Sequence, residues 1–399
     1  VTGTNGKTTV ARLINHTLTL SGKTVGLTCT SGTYVGGKLV CRGDNSGPRS
    51  ARAILSNKTI DAAVLETARG GIVREGLGYD LADIGVITNI SEDHLGIDGV
   101  NTLEDLVFVK TLVAEAVKKN GFAVLNADDK ATPEVLKRVK SKAILFHKDA
   151  QTEKIYESPD FVHVYTANGW LRIRDGVSQT DVIRVDMIPI TCGGRIECNI
   201  ENALAATAAL YGLGTGISDI AEGLKSFNDN SGRFSVYELN GVRVMLDYGH
   251  NPTGFVQVIK TLGKFEYNRL IGVIGMPGDR TDSLIKEGAR ICAGAFDSII
   301  LKEDFDLRGR KDGEVARLMR DSITESGYDI SRLKTELDEA KALELALSEA
   351  EKGDLIVVFY EKLEPLQQYL ISLGAKTGAL QPNSYVFGSV KEGLVWQGR

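Results

Sequence analysis

Val1-Thr2-Gly3-Thr4-Asn5-Gly6-Lys7-Thr8-Thr9 opens the chain as a glycine-rich turn that runs through Gly-Lys-Thr into an amphipathic helix. Val10, Leu13, Ile14, Thr17 and Leu18 recur at helical spacing, and Gly22 stands where a helix stop is expected. Such a turn reads as a phosphate cradle. Gly3 and Gly6 let backbone N–H groups approach polyphosphate oxygens, and the helix N-terminus adds a favourable dipole. Lys7 offers a point charge to the β- and γ-phosphates, and the Thr8 hydroxyl is placed to ligate Mg²⁺. The generic pattern has glycine five residues before Gly6, where this chain has Val1. An ordinary glycine-rich strand-to-helix turn is the weaker alternative.

The 399 residues suit two or three domains with sizeable cores. A hydrophobic content of 42% and a charged content of 25% are ordinary for a globular protein. A net charge of −5 with no basic stripe argues against a nucleic-acid partner. Cys29, Cys41, Cys192, Cys198 and Cys292 form no C-x-x-C pair and read as reduced thiols of a cytoplasmic protein. No apolar run approaches membrane-spanning length. The phosphate turn begins without the buried strand that should deliver it, so a fragment of a longer protein is expected.

Working outward, residues 24–30 read as a strand, residues 33–42 as a polar hairpin around Gly36-Gly37, and residues 43–49 as a donor-rich loop before a two-turn helix. A strand over 61–65 ends on Glu66, with Thr67-Ala68-Arg69-Gly70-Gly71 behind it. Ligands of α/β proteins gather at such strand ends, which favours a Mg²⁺ role for Glu66 over a merely solvated side chain. A strand over 84–90 runs into Ser91-Glu92-Asp93-His94. The next helix, expected over 102–119, carries Lys110 inside an apolar stripe of Leu103, Leu106, Val107, Val113, Ala114 and Val117. A lysine there must snorkel, pair or be chemically altered. With Glu66 and His94 across the cleft, a carbamate on Lys110 would suit a second metal. Residues 143–191 read as an antiparallel β insertion or edge, with His147 and His163 structural or exposed. Asn199 and Asn202 open an alanine-rich helix, as caps or as amides for an adenine edge. A domain boundary is placed at Ser231-Gly232-Arg233-Phe234. Beyond it, strands and helices alternate as a Rossmann-like domain without a dinucleotide fingerprint.

These stretches resemble the Mur ligase superfamily of ATP-dependent amide ligases over essentially the whole chain. The resemblance rests on residues 1–9, on Thr88-Asn89 through Asp93-His94 with Lys110, on Asn199-x-x-Asn202-Ala-Leu-Ala-Ala, on Gly232-Arg233-Phe234 and on Asp247-Tyr248-Gly249-His250-Asn251-Pro252. Cys198 stands where the superfamily often has His, and Gly249 where it usually has Ala. The fold implied is α/β: a P-loop-containing central domain over 1–234 with a mostly parallel sheet and a β insertion, then a Rossmann-like C-terminal domain over 235–399. The resemblance implies ATP binding by Thr4, Asn5, Gly6, Lys7, Thr8, Thr9, Asn199, Asn202, Arg233, Asp247 and His250. Catalytic roles fall to Lys7, Glu66, His94, Lys110 and Arg233. Two Mg²⁺ ions would be held by Thr8, Glu66, His94 and a carbamylated Lys110.

Within the superfamily, Gly43-Asp44, Ser46-Gly47-Pro48, Ser50-Ala51-Arg52, residues 65–72, Lys302-Glu303-Asp304 and Arg308-Gly309-Arg310 look similar to the C-terminal ligase half of the cyanophycin synthetase type. That similarity implies an acyl phosphate formed on an aspartate side chain of a poly-Asp chain, attacked by the α-amine of L-arginine. It implies Asp44, Ser46, Arg49 and Arg69 toward the acceptor, acidic residues such as Asp304 toward a guanidinium, and Arg308 and Arg310 toward carboxylates. An ATP-grasp module preceding the chain and a homo-oligomeric, cytoplasmic, membrane-free protein are expected with it. Another amino-acid-adding ligase, or a non-catalytic scaffold of the same fold, is the rival.

Overall fold

The computed structural model describes residues 1–93, 95–148, 152, 156, 158, 161–228 and 231–380. Helix α1 (Lys7–Leu20) is entered through Gly6 at φ 85° and buries Val10, Leu13, Ile14, Thr17 and Leu18. That is the stripe read from the sequence. Strands β1 (Val25–Cys29), β2 (Gly32–Val35), β3 (Lys38–Arg42) and β4 (Ala62–Leu65) form a sheet ordered β3-β2-β1-β4, with β2 and β3 the expected hairpin. Helix α2 (Pro48–Leu55) precedes β4, and helix α3 (Arg69–Glu75) follows it.

A six-stranded sheet comes next. Strands β5 (Ala82–Ile87), β6 (Val117–Asn126), β7 (Lys142–His147) and β8 (Phe161–Ala167) are parallel neighbours, while β9 (Trp170–Asp175) and β10 (Ser178–Arg184) extend the sheet as an antiparallel edge. Of the antiparallel insertion or edge expected over 143–191, only the pairings of β9 and β10 are antiparallel, whereas β7 and β8 belong to the parallel part. His147 and His163 are buried in it, their rings meeting Nε2 to Nδ1 at 3.3 Å.

The first residues of the chain join these two sheets. The Val1 amine donates to Leu65 O (2.7 Å) and Thr67 N donates to Val1 O (2.8 Å); on the other side Thr2 N donates to Val86 O (2.8 Å) and Thr88 N to Thr2 O (3.0 Å). The phosphate turn therefore hangs from the C-terminal ends of β4 and β5, where Glu66 and residues 88–93 emerge.

Helix α4 (Leu103–Glu115) is shorter than expected. Thr102 and Asp105 start it with a reciprocal capping box, but Val117 already pairs with Ala82, so residues 117–119 lie in β6. Sheet pairing overrides the local helical pattern there. Helices α5 (Thr132–Leu136), α6 (Glu197–Gly212) and α7 (Ile217–Ser226) complete this half. Ala203, Ala205, Ala206, Ala208 and Ala209 on α6 are all buried, and their small side chains let α6 lie close to α1 and β5–β8.

The second half is one seven-stranded sheet. It is built from β11 (Ser235–Leu239), β12 (Val242–Asp247), β13 (Leu270–Ile274), β14 (Ser298–Leu301), β15 (Leu333–Thr335), β16 (Leu355–Phe359) and β17 (Lys376–Thr377), ordered β15-β14-β13-β16-β12-β11-β17. All neighbours from β15 to β12 are parallel, and β11 and β17 are antiparallel. Helices α8 (Pro252–Leu262), α9 (Asp282–Ala293) and α10 (Glu314–Glu325) pack Phe255, Ile285 and Met319 on one face; α11 (Glu339–Glu349) and α12 (Leu363–Ser372) pack Leu343, Leu366 and Leu370 on the other. The doubly wound α/β arrangement is as read, although β15 and β17 are too short to leave a periodic signal. No helix among the described residues is long and apolar enough to cross a membrane.

Candidate active site

The phosphate turn is held by close packing at both glycines. A Cβ on Gly3 (φ 147°) would stand 1.9 Å from Thr88 Oγ1, and one on Gly6 2.2 Å from Asn202 Oδ1. Lys7 folds back so that Nζ donates to Gly3 O (3.1 Å) and Thr4 O (2.8 Å). Burial lowers its pKa, opposed chiefly by the charge of Glu66. Thr8 Oγ1 donates to Glu66 Oε2 at 3.0 Å, while Glu66 Oε1 is buried without a hydrogen-bond partner. A buried carboxylate oxygen without a donor is costly unless a cation completes it. Thr8 and Glu66 thus fit a Mg²⁺ ion.

Lys110 is 3% exposed and its Nζ donates to Gly3 O at 2.8 Å. Among the described residues it has no ion pair. Burial first, and the neighbouring Lys7 charge second, push its pKa well down. The in-stripe Lys110, read as facing Glu66 and His94, thus lies at the phosphate turn beside Lys7. Among the described residues no group of three His, Cys, Asp or Glu side chains could hold a metal. His94, named as a ligand from the sequence, lies outside the described residues.

A cavity of about 590 Å³ opens over the turn between the two halves, lined by Lys7, Thr8, Glu66 and Lys110 and, from the seven-stranded sheet, by Tyr248, His250 and Arg280. Arg233 reaches it from the connection and lies over the Tyr248 ring, 4.7 Å from its centroid. A smaller recess beside Gly6 and Thr9 is lined by Asn199, Asn202, Phe234, Asp247 and Gly249. Neither asparagine caps α6, whose N-cap is Ile196. Instead Asn199 Nδ2 donates to Ile190 O (2.7 Å) and Asn202 Nδ2 to Asn199 Oδ1 (3.2 Å). Asp247 accepts from Phe234 N (3.0 Å) and Gly249 N (2.8 Å), and burial raises its pKa. A Cβ on Gly249 would meet the Phe359 ring at 2.8 Å, so packing explains the glycine at this position.

The loops nominated for substrates divide. Asp44, Ser46, Arg49, Arg69 and Arg308 line the large cavity. Arg69 is buried and donates to Ile97 O (2.9 Å). Asp304 and Arg310 do not line it. Asp304 takes a 2.7 Å contact from Lys302, which is shared with Glu339, and Arg310 bridges Asp282 (2.7 Å) and Glu314 (2.9 Å). Glu303 accepts from Gly313 N and Ala316 N at the start of α10. Three residues escaped the sequence reading: Asp93, Asn251 and Arg280. Asp93 and Asn251 sit inside strings already quoted, but no local pattern says that Arg280 meets Asp93.

Comparison with known proteins agrees with this geometry. Residues 1–210 match the Mur ligase middle domain and residues 232–359 the Mur ligase glutamate ligase domain. The chain is 41% identical to cyanophycin synthetase of Crocosphaera subtropica and 40% identical to that of Nostoc sp., over 91% of its own length but only 42% and 41% of theirs. It is 27% identical to UDP-N-acetylmuramoyl-L-alanyl-D-glutamate–2,6-diaminopimelate ligase of Geobacillus thermodenitrificans, over 90% of this chain and 72% of that one. Among solved structures, folylpolyglutamate synthase of Mycobacterium tuberculosis, complexed with ADP and AMPPCP, shares the fold at TM-score 0.69 and 17% identity, over 94% and 91% of the two chains. MurF of Acinetobacter baumannii does so at TM-score 0.66 and 18% identity, over 93% and 75%. The chain belongs to the Mur ligase family.

Proposed function

We propose that this chain is the ATP-dependent ligase part of a cyanophycin-synthetase-like protein, joining the α-amine of L-arginine to aspartate side chains of a poly-Asp acceptor. The observation that carries the ATP-dependent part is the buried Thr8–Glu66 pair with its orphaned Glu66 Oε1, set against Lys7 and Lys110 in one cavity. The arginine and poly-Asp part rests on likeness to relatives named cyanophycin synthetase, of which the chain spans about two fifths. We divide the chain into 1–234 and 235–399 on the same reading.

A carboxylate is a poor electrophile, so it is first phosphorylated. Lys7 turns from the Gly3 and Thr4 carbonyls to the β,γ-phosphates, and Arg233 leaves the Tyr248 ring to meet the same charge; positioning and electrostatics supply most of such a transfer. Thr8, Glu66, His94 and a carbamylated Lys110 would hold two Mg²⁺ ions, which supply Lewis acidity. The depressed basicity of Lys110 suits that modification. The neutral amine adds to CO₂ and releases one proton, so a neutral group becomes a carbamate anion. Asn199, Asn202, Asp247 and His250 flank the nucleotide, while Arg49, Arg69 and Arg308 offer cationic charge to an acidic acceptor. The amine then attacks the acyl phosphate and phosphate leaves. No covalent enzyme intermediate is needed.

The test is ADP release by the longer protein with Mg²⁺, bicarbonate and synthetic poly-Asp, each amino acid being added in turn. Arginine-dependent ADP release with a matching mass gain on the polymer is expected. Turnover with another amino acid would keep the chemistry and overturn the substrate. Nucleotide binding without turnover on any acceptor would make the chain a scaffold.

A further inference from the structure

One carboxylate of the phosphate-loop half is gripped by three side chains from two loops of the other half. Asp93, on the loop after β5, is 4% exposed. Its Oδ1 lies 2.9 Å from Arg280 Nε, and its Oδ2 accepts from Asn251 Nδ2 (3.1 Å) and lies 3.6 Å from His250 Nε2. Arg280 follows β13; His250 and Asn251 follow β12. The Arg280 side chain is fully buried, an extreme burial for a guanidinium. We propose that Asp93 and Arg280 form a closure latch: they are positioning residues that register the seven-stranded half over the phosphate turn and link acceptor-side and nucleotide-side groups.

Two further contacts give the latch this reach. Asp279 pairs with Arg280 through Oδ1 (2.6 Å) and with Arg308 through Oδ2 (3.0 Å), so the cavity-lining Arg308 is tied to the latch by one carboxylate. Asn251 also lies 3.5 Å from Asn5 Oδ1 in the phosphate turn. The Asp93 Oδ1–Arg280 Nε contact is an ion pair without hydrogen-bond alignment, so it does little to repay the desolvation of two buried charges; parted, each charge returns to water. Such a pair contributes registry more than raw affinity, and makes an interface two-state rather than graded. Removing Arg280 takes from the buried Asp93 its nearest guanidinium, and removing Asp93 leaves the buried Arg280 with one carboxylate fewer beside Asp279, so the closed state loses compensation and opening becomes cheaper.

The test takes Asp93→Asn, Arg280→Gln and the double variant in this chain, with circular dichroism to show that each is folded. Small-angle scattering is recorded without nucleotide and with a non-hydrolysable ATP analogue and Mg²⁺. In the nucleotide-free protein each single variant is expected to expand relative to wild type, and the double variant, with both charges removed, to reclose in part. The kinetic consequence rests on the ligase reading: turnover of the longer protein is expected to fall about 30-fold or more, with a much smaller change in KM for ATP, because Lys7, Thr8, Asn199 and Asn202 all belong to the phosphate-loop half and keep their places when the other half loses register. Unchanged nucleotide-free dimensions in folded single variants, or a double variant as open as the two singles summed, would overturn the latch. A wild-type chain that binds no nucleotide would overturn the ligase reading while leaving the scattering comparison decisive for the latch. If a single variant does not fold, Arg280→Lys, which keeps the charge and loses the fork, takes its place with the same expected expansion.

Discussion

The phosphate turn at residues 3–9 and the charged loop at residues 303–310 look equally chemical as strings of letters, yet they do opposite things. In the loop, Glu303 caps α10, Asp304 answers the buried Lys302, and Arg310 is bidentate between Asp282 and Glu314. Its charges are satisfied by the protein itself, and only Arg308 faces the cavity. Around the turn the polar groups are mismatched. Lys7 and Lys110 both point at the Gly3 carbonyl, and Glu66 keeps an oxygen without a donor. Charge that is complete holds a fold; charge left incomplete in a buried place marks a ligand.

The largest effect that could break this contrast is at Lys7. Lys7→Met is expected to lower ADP release on the order of 10³-fold or more, with the melting temperature little changed, since a half-buried cation is removed and no ion pair is lost. A clear fall in melting temperature would move Lys7 to the structural side. Lys302→Met should do the reverse. It strands Asp304 and Glu339, so urea unfolding should show a loss of about 3–5 kcal/mol, while Mg²⁺-nucleotide affinity of the folded protein holds.

The buried histidine pair sharpens the comparison by pH. Burial, reinforced by His147, holds His163 at about 4, below an unfolded value of about 6.5. Both states are uncharged above 6.5. Between 6.5 and 4 only the unfolded chain takes the proton, so stability is lost as pH falls through that window, by up to about 3 kcal/mol. Chemical denaturation across pH 4–7 should show this slope, and His163→Phe should flatten it. The smallest contrast is within one loop. Arg308→Ala should weaken acceptor binding several-fold at little cost in stability, whereas Arg310→Ala should cost about 1 kcal/mol of stability and leave acceptor KM alone.

What the sequence disclosed follows the same division. The turn, the strand-end Glu66 and the in-stripe Lys110 are legible because backbone periodicity fixes where each side chain points. Helix α4 was overextended because Val117 continues a helical stripe until its pairing with Ala82 in the sheet decides otherwise. Asp304 and Arg310 were misplaced because their partners, Lys302, Glu339, Asp282 and Glu314, are assembled only by the tertiary fold. Arg280 was passed over for the same reason, its partner Asp93 lying 187 positions away (280 − 93).

The most direct test of incomplete charge as the mark of the site is calorimetric titration of a non-hydrolysable ATP analogue into wild type and Glu66→Gln, each with and without Mg²⁺. Binding to wild type that tightens about tenfold or more with Mg²⁺, and a Glu66→Gln variant that stays folded but loses that dependence, is the expected outcome. Mg²⁺-independent binding to wild type, or an undiminished Mg²⁺ dependence in Glu66→Gln, would contradict it.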